Sequence, residues 1–286
     1  MGATGSPATA APSTVPVALR TLTRQAEGLW QALSPQWPDF SVEVLPSIDS
    51  TNTELMRRAR AGQHAPTLLV ALEQTAGRGR RGRQWLSRPG DSLTFSLGLP
   101  LQPQGWSGLS LAVGVSLAEH LHPDVRLKWP NDLWWQQRKL GGILVETASI
   151  GAARYVVVGV GLNLETPELP PPDLSVNVAG EAAALPPVPP VGLRALPVNL
   201  AERDAGEWLA AVLPPLVQDL LAFERTGFAA FAARFAARDA LAGLALRLSD
   251  GREGQALGVG PDGTLRMQTA QGLVEVSSAE VSVRPC

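Results

Sequence analysis

The chain has one cysteine in 286 residues, Cys286, so no disulfide can form within it and no Cys-x-x-Cys zinc site exists. That usage fits a reducing compartment, and a cytoplasmic location is expected. Lysine is almost as scarce: of 24 basic residues only Lys128 and Lys139 are lysines, both in one short window. Neither sign of charge is in excess, with a formal net charge of -2, so the chain does not coat nucleic acid broadly and any anion site must be local. No apolar run reaches the roughly 18 residues of a membrane span, and no membrane partner is expected. The first sixteen residues, rich in Ala, Thr, Ser and Pro, lack a basic start and an apolar signal core, and read as a disordered tail. Room for a DNA-reading module is missing too. A single amphipathic helix, carried by Leu22, Ala26, Leu29 and Leu33, precedes the first core strand, whereas a helix-turn-helix needs a second. Specific DNA binding is not expected.

A hydrophobic content of 45% suits one large domain or two smaller ones. In "SIDSTNTELMRRARAG", Thr51 and Glu54 have capping-box spacing before a short helix that Gly62 can end. "TLLVALEQ" (67–74) and "SLTFSLGL" (92–99) read as strands, residues 106–121 as a helix, and "VRLKW", "KLGGILVETA" and "YVVVGVGLNL" as further strands, the last two joined at Gly151. The pattern predicts a mixed sheet with helices packed on it, an α+β fold. Proline dominates 165–197, predicting a long surface excursion without ladders. Residues 204–238 return to helical patterning, where Pro214 and Pro215 are expected to kink or divide the helix. From residue 240 five short runs separated by Asp-Gly, Pro-Asp-Gly and Gln-Gly turns predict a small β-barrel docked on the rest. The expected division is 1–35 tail and helix, 36–239 catalytic domain, 240–286 barrel.

Between the first two apolar strands lies "QTAGRGRRGRQW", with Arg78, Arg80, Arg81 and Arg83 among Gly77, Gly79 and Gly82. Backbone amides freed by glycine, with guanidinium groups beside them, can wrap phosphate by charge-assisted bonds. The spacing is not that of a Walker loop. A phosphate cradle, an RNA hook and an idle solvated loop all fit this stretch alone.

Five segments in this order, "STN" (50–52), "GRGRRGRQW" (77–85), "KWPNDL" (128–133), "RKLGGILVE" (138–146) and "VVGVGLNL" (157–164), resemble the biotin protein ligases closely from about Ser47 to Asn163. "FERTGFAAFAARF" and the terminal "AEVSVR" resemble the family's later parts more loosely. The resemblance implies a class II aminoacyl-tRNA synthetase-like sheet of the biotin/lipoate ligase superfamily with an SH3-like C-terminal barrel, of the ligase-only type. It implies that biotin and ATP, with Mg2+, give biotinyl-5'-AMP, and that biotin then passes to a lysine of a biotin carboxyl carrier protein domain of acetyl-CoA carboxylase or a related carboxylase. A monomer or homodimer fits equally. Lys139, Arg80 and Arg78 are the implied catalytic residues. Ser50, Thr51, Asn52, Gln74, Gly77, Arg78, Arg80, Arg81, Gly82, Trp85, Lys139, Gly141, Gly142 and Leu144 are the implied biotin contacts. Toward ATP the likeness implies Arg78, Arg80, Arg81, Asn131, Lys139, Asn163 and Arg284, with Asp132 toward magnesium on the phosphates. A structural pairing of Asp132 with Lys128 competes with that last role, and helix capping competes with ligand contact at Ser50 and Thr51. The alternatives to biotin ligation are a lipoate or octanoate ligase or transferase of the same superfamily, and a non-enzymatic RNA-binding protein using the arginine loop.

Overall fold

The computed structural model describes residues 14–150, 153–168, 188–197, 200, 202–277 and 283–285. The tail expected over the first sixteen residues lies mostly outside them, as does the turn at Gly151. Helix α1 (Thr14–Leu33) buries Leu22, Ala26, Leu29 and Leu33, the stripe read from their spacing. Seven strands follow: β1 (Ser41–Leu45), β2 (Thr67–Ala71), β3 (Ser92–Pro100), β4 (Arg126–Lys128), β5 (Asp132–Trp135), β6 (Arg138–Ile150) and β7 (Ala153–Asn163). They form one mixed sheet in the order β1-β2-β3-β7-β6-β5-β4, with β1 and β2 parallel and the other pairs antiparallel. Strand β5 was not expected, because it is only four residues long and starts right after the Pro130-Asn131 turn.

Helices α3 (Leu109–Leu121) and α4 (Ala205–Thr226) pack with α1 on one sheet face, in a core that takes Val156, Val158, Val160 and Leu162 from β7. Helix α2 (Thr51–Arg60) covers part of the other face, where Leu55, Met56 and Ala59 meet Tyr155 and Val157. Period-two alternation therefore puts Gly159 and Gly161 on the α2 face, further along the same strand. With no side chains there, that end of the face is left open. The strand register extends the opening sideways: Thr94 pairs with Gly161 and Gly161 with Gly142, while Ser96 pairs with Gly159 and Gly159 with Leu144.

Local details correct three expectations. The capping box expected of Thr51 and Glu54 does not form, and the cap of α2 is Ser50, the other residue read as a possible cap: its hydroxyl accepts from Thr53 N, while Glu54 is committed to Arg57 and Arg58. A true capping box forms instead at α4, where Asp204 Oδ1 accepts from Glu207 N at 2.8 Å and Glu207 Oε2 accepts from Asp204 N at 2.9 Å. Helix α4 runs unbroken through Pro214 and Pro215, because packing of Val212, Leu213, Leu216 and Val217 in the core outweighs the lost amide bonds. Of the proline-rich stretch, 169–187 lie outside the described residues. Its final part is no surface excursion: Val191, Leu193 and Leu196 are buried and Val191 N donates to Lys139 O at 2.9 Å. Asp204→Ala should cost about 1 kcal/mol of stability. Urea unfolding with an unchanged slope and a lower midpoint would show it.

The short helix α5 (Ala232–Ala236) leads to β8 (Ala245–Leu248), β9 (Glu253–Val259), β10 (Leu265–Thr269), β11 (Gly272–Val276) and β12 (Val283–Pro285). The expected glycine turns are present, with Gly251, Gly263 and Gly272 all at positive φ. The barrel is not. These strands make an open antiparallel sheet, β11-β10-β9-β8-β12, and among the described residues its edge strands β11 and β12 do not pair with each other. The reason is one-sided burial. Leu246, Leu248, Ala256, Leu265, Met267, Val276 and Val283 join the core of the main sheet, while Leu257 and Leu273 stay exposed. A sheet whose apolar face is already covered need not close on itself. Trp129 Nε1 donating to Gly263 O at 3.0 Å and Ser107 Oγ to Asp262 O at 2.6 Å fasten it. No helix among the described residues is long and apolar enough to cross a membrane.

Candidate active site

The open end of the α2 face is a cleft continuous with solvent, lined by both polar and apolar groups. Of the expected residues, Ser50, Thr51, Asn52, Gln74, Arg78, Arg80, Arg81, Trp85, Asn131, Asp132, Lys139, Gly142, Leu144 and Arg284 line it. Gly77, Gly82, Gly141 and Asn163 do not. A Cβ on Gly77 would lie 2.5 Å from Trp85 O, so this glycine lets the loop close on itself. Gly82 takes the left-handed φ of 72° in the tight turn Arg80–Gly82. Gly141 faces away from the cleft, where a Cβ would meet Leu162 Cδ2 at 2.8 Å. Asn163 is buried, and its amide donates to Lys139 O and Val191 O, both at 3.2 Å. It fixes the backbone under Lys139 instead of facing the cleft.

One half of the cleft is a slot between ring and bare backbone. Trp85 lies over Gly161, where a Cβ would sit 2.5 Å from the indole Cε2, and Asn52 Oδ1 lies over Gly159. Thr94 and Leu144, which pair with Gly161 and Gly159, flank it on the neighbouring strands, while the Phe95 and Val160 side chains turn into the core on the other face. Polar groups crowd one end: Thr51 N donates to Gln74 Oε1 at 2.7 Å, and the Thr51 and Ser96 hydroxyls stand 2.7 Å apart.

Cations occupy the other half. The arginine loop is a small hairpin in which Gly79 N donates to Arg83 O and Trp85 N to Gly77 O, turning Arg80 inward to Asn131 Oδ1 at 3.2 Å. Asn131 is held in turn by donating to Ile143 O at 2.9 Å. Arg78 points toward Thr53 and Glu146, and Arg81 donates to Ser249 Oγ at 2.9 Å, tying the loop to the C-terminal sheet. Burial holds the Arg80 guanidinium below its ordinary value, Asp132 pulling the other way. Burial does the same to Arg284, helped by Arg83 and opposed by Asp132.

Asp132 sits between both lysines of the chain, 2.8 Å from Lys139 Nζ and 3.6 Å from Lys128 Nζ. Burial pulls its carboxyl up, but Lys139 and Lys128 pull harder and leave it below the ordinary value. With its oxygens facing two ammonium groups, and no cluster of three metal-ligating side chains among the described residues, Asp132 does not fit a resident magnesium ion. Lys139 remains 32% exposed at the cleft, whereas Lys128 is 3% exposed, over the Trp134 ring. Burial pulls Lys128 from 10.5 down to about 8, against Asp132. The unfolded chain then binds more protons than the folded one between these two values, so stability rises with pH across that window. Lys128→Met should flatten this rise, seen in urea midpoints measured at about pH 7.5 and about pH 9.5.

The residues missed from sequence are Thr94, Ser96, Glu146, Gly159, Gly161 and Arg83. For Thr94, Ser96, Gly159 and Gly161 a signal was present as period-two runs of small or polar residues, Ser92-Thr94-Ser96 and Gly159-Gly161-Asn163, which mark one strand face free of bulk.

Residues 44–163 match the biotin/lipoate A/B protein ligase family. The bifunctional ligase/repressor BirA of Escherichia coli is 46% identical over 131 residues, 43% of this chain and 40% of that protein, so the match spans well under two thirds of BirA. The biotin–[acetyl-CoA-carboxylase] ligase of Paracoccus denitrificans is 32% identical over 83% of this chain and 98% of its own length. Among solved structures, the biotin protein ligase of Aquifex aeolicus in complex with biotin and ATP superposes with a TM-score of 0.67 at 28% identity, over 86% of this chain and 99% of that one.

Proposed function

The chain belongs to the biotin protein ligase family, and we propose that it activates biotin with ATP to biotinyl-5'-AMP and passes the biotinyl group to a lysine of a carboxyl carrier protein domain. The observation that carries this reading is a single cleft whose apolar, glycine-floored slot runs into a cluster of cations, with Lys139 where the two halves meet. Biotin is an apolar bicycle with one polar ureido edge and a carboxylate on a chain, and the slot suits the first while the cations suit the second. In the first step a carboxylate oxygen bonds to the α-phosphorus of ATP and pyrophosphate leaves. Two anions must meet, so fixed positive charge lowers the barrier. Lys139 is the ammonium nearest both, with Arg78, Arg80, Arg81, Arg83 and Arg284 around the phosphates. Asn131 aims Arg80, Asn163 anchors the Lys139 backbone, and Asp132 orients the Lys139 ammonium until an anion competes for it. Magnesium enters only with the ATP substrate. In the second step the carrier lysine nitrogen attacks the acyl carbon and AMP departs. The glycine-hinged arginine loop keeps water from the mixed anhydride meanwhile.

This proposal retains 36–239 as the catalytic unit and treats 240–286 as a second unit that lends Arg284. Purified chain, biotin, magnesium-ATP and a carrier domain should add one biotinyl mass to the carrier, and nothing to a carrier whose acceptor lysine is replaced. An unmodified carrier in the presence of all components would refute the reading.

A further inference from the structure

Between Gln74 and Glu146 runs a chain of side chains whose hydrogen-bond directions can be assigned by counting protons. At one end, Thr51 N–H can only donate, and it fixes Gln74 Oε1 as the oxygen facing Thr51, at 2.7 Å. At the other end, Leu144 O and the Glu146 carboxylate can only accept, and they take Asn52 Nδ2 at 3.2 and 3.0 Å. Asn52 must therefore turn Oδ1 toward Ser96. Three oxygen–oxygen contacts remain between these fixed ends: Asn52 Oδ1 to Ser96 Oγ at 2.6 Å, Ser96 Oγ to Thr51 Oγ1 at 2.7 Å, and Thr51 Oγ1 to Gln74 Oε1 at 3.1 Å. Only two hydroxyl protons are available to fill them.

One contact must lack a proton. Leaving either short contact empty would press bare lone pairs together in a buried site, so the empty one is the longest, between Thr51 and Gln74. Thr51 then donates to Ser96 and Ser96 to Asn52. Gln74 Oε1 keeps its bond from Thr51 N–H. What results at the edge of the cleft is a pair of acceptors, Thr51 Oγ1 and Gln74 Oε1, waiting for one donor.

We infer that Ser96, Asn52 and Glu146 are positioning residues that hold Thr51 as an acceptor, so that the site selects an acyl substrate carrying an N–H group over one that does not. This rests on the biotin reading above, and it supplies that reading with its discrimination: a ureido nitrogen fills the vacancy, whereas the dithiolane of lipoate leaves two buried lone pairs unpaired. None of the three side chains needs to touch the substrate to do so.

Binding of biotin, of a biotin methylated on its ureido nitrogens and of lipoate to the intact chain tests this by calorimetry, in wild type, Ser96→Ala, Thr51→Val and the double variant. In Ser96→Ala the Thr51 proton has only Gln74 Oε1 left to bond, which fills the vacancy. Biotin should then bind at least about tenfold more weakly, while the methylated ligand loses little further affinity. ATP affinity should hold, which a misfolded variant would not allow. In the Thr51→Val background, Ser96→Ala should change biotin affinity by less than about twofold, because its effect passes through that hydroxyl. Additive losses in the double variant, or an unchanged preference for biotin over its methylated form in Ser96→Ala, would overturn the relay while leaving the ligase reading intact. If wild type bound no biotin at all, both would fall.

Discussion

Lys139→Ala is expected to slow adenylate formation by about 100- to 1,000-fold, the range typical for removing one preorganised group that stabilises charge in a transition state. The side chain is a third exposed, and among the described residues its one ion pair is with Asp132, which Lys128 continues to neutralise. The fold should therefore survive, and circular dichroism should be unchanged. Arginine at this position should not rescue the rate: its planar fork is wider than the ammonium that sits 2.8 Å from Asp132 and cannot replace a point charge aimed at one oxygen. Single-turnover release of pyrophosphate reads the effect. A rate within threefold or so of wild type would remove Lys139 from the chemistry.

Gly161→Ala should strike the other half of the cleft. Its Cβ would press on three atoms of the Trp85 indole, at 2.5, 2.6 and 2.9 Å, and the ring is carried by a loop that can give way. The cost is then shared between strain and a displaced wall, on the order of 1–3 kcal/mol, which corresponds to a biotin KM raised about 5- to 150-fold. The KM for ATP should move much less. Equal shifts in both would mean that the substitution disturbs the sheet as a whole.

Much of this site could be read before the fold was known, because its chemistry is carried by rare residue types. Two lysines in a chain that otherwise uses arginine, and four arginines spaced by glycines, draw the eye to this region by composition, and the five ordered segments then separate a phosphate cradle from an RNA hook or an idle loop. The slot was harder to see. Gly159 and Gly161 look like ordinary strand residues until the register sets them beside Thr94, Ser96 and Gly142, and register is a long-range property that no local window contains. Ser96 is wholly buried and its role depends on partners 44 and 45 residues away in sequence. Local signals also misled at Thr51 and Glu54, where correct spacing described a cap one residue out of frame, and at Pro214 and Pro215, where packing overrides propensity. The C-terminal strands were legible one by one. Their failure to close was not, since closure depends on whether the apolar face is already covered by the main sheet.

The direct measurement is ATP–pyrophosphate exchange by the purified chain with biotin, with lipoate and with neither acid. Exchange that appears with biotin alone is the predicted result. Equal exchange with lipoate, or none with either acid while ATP still binds, would contradict it.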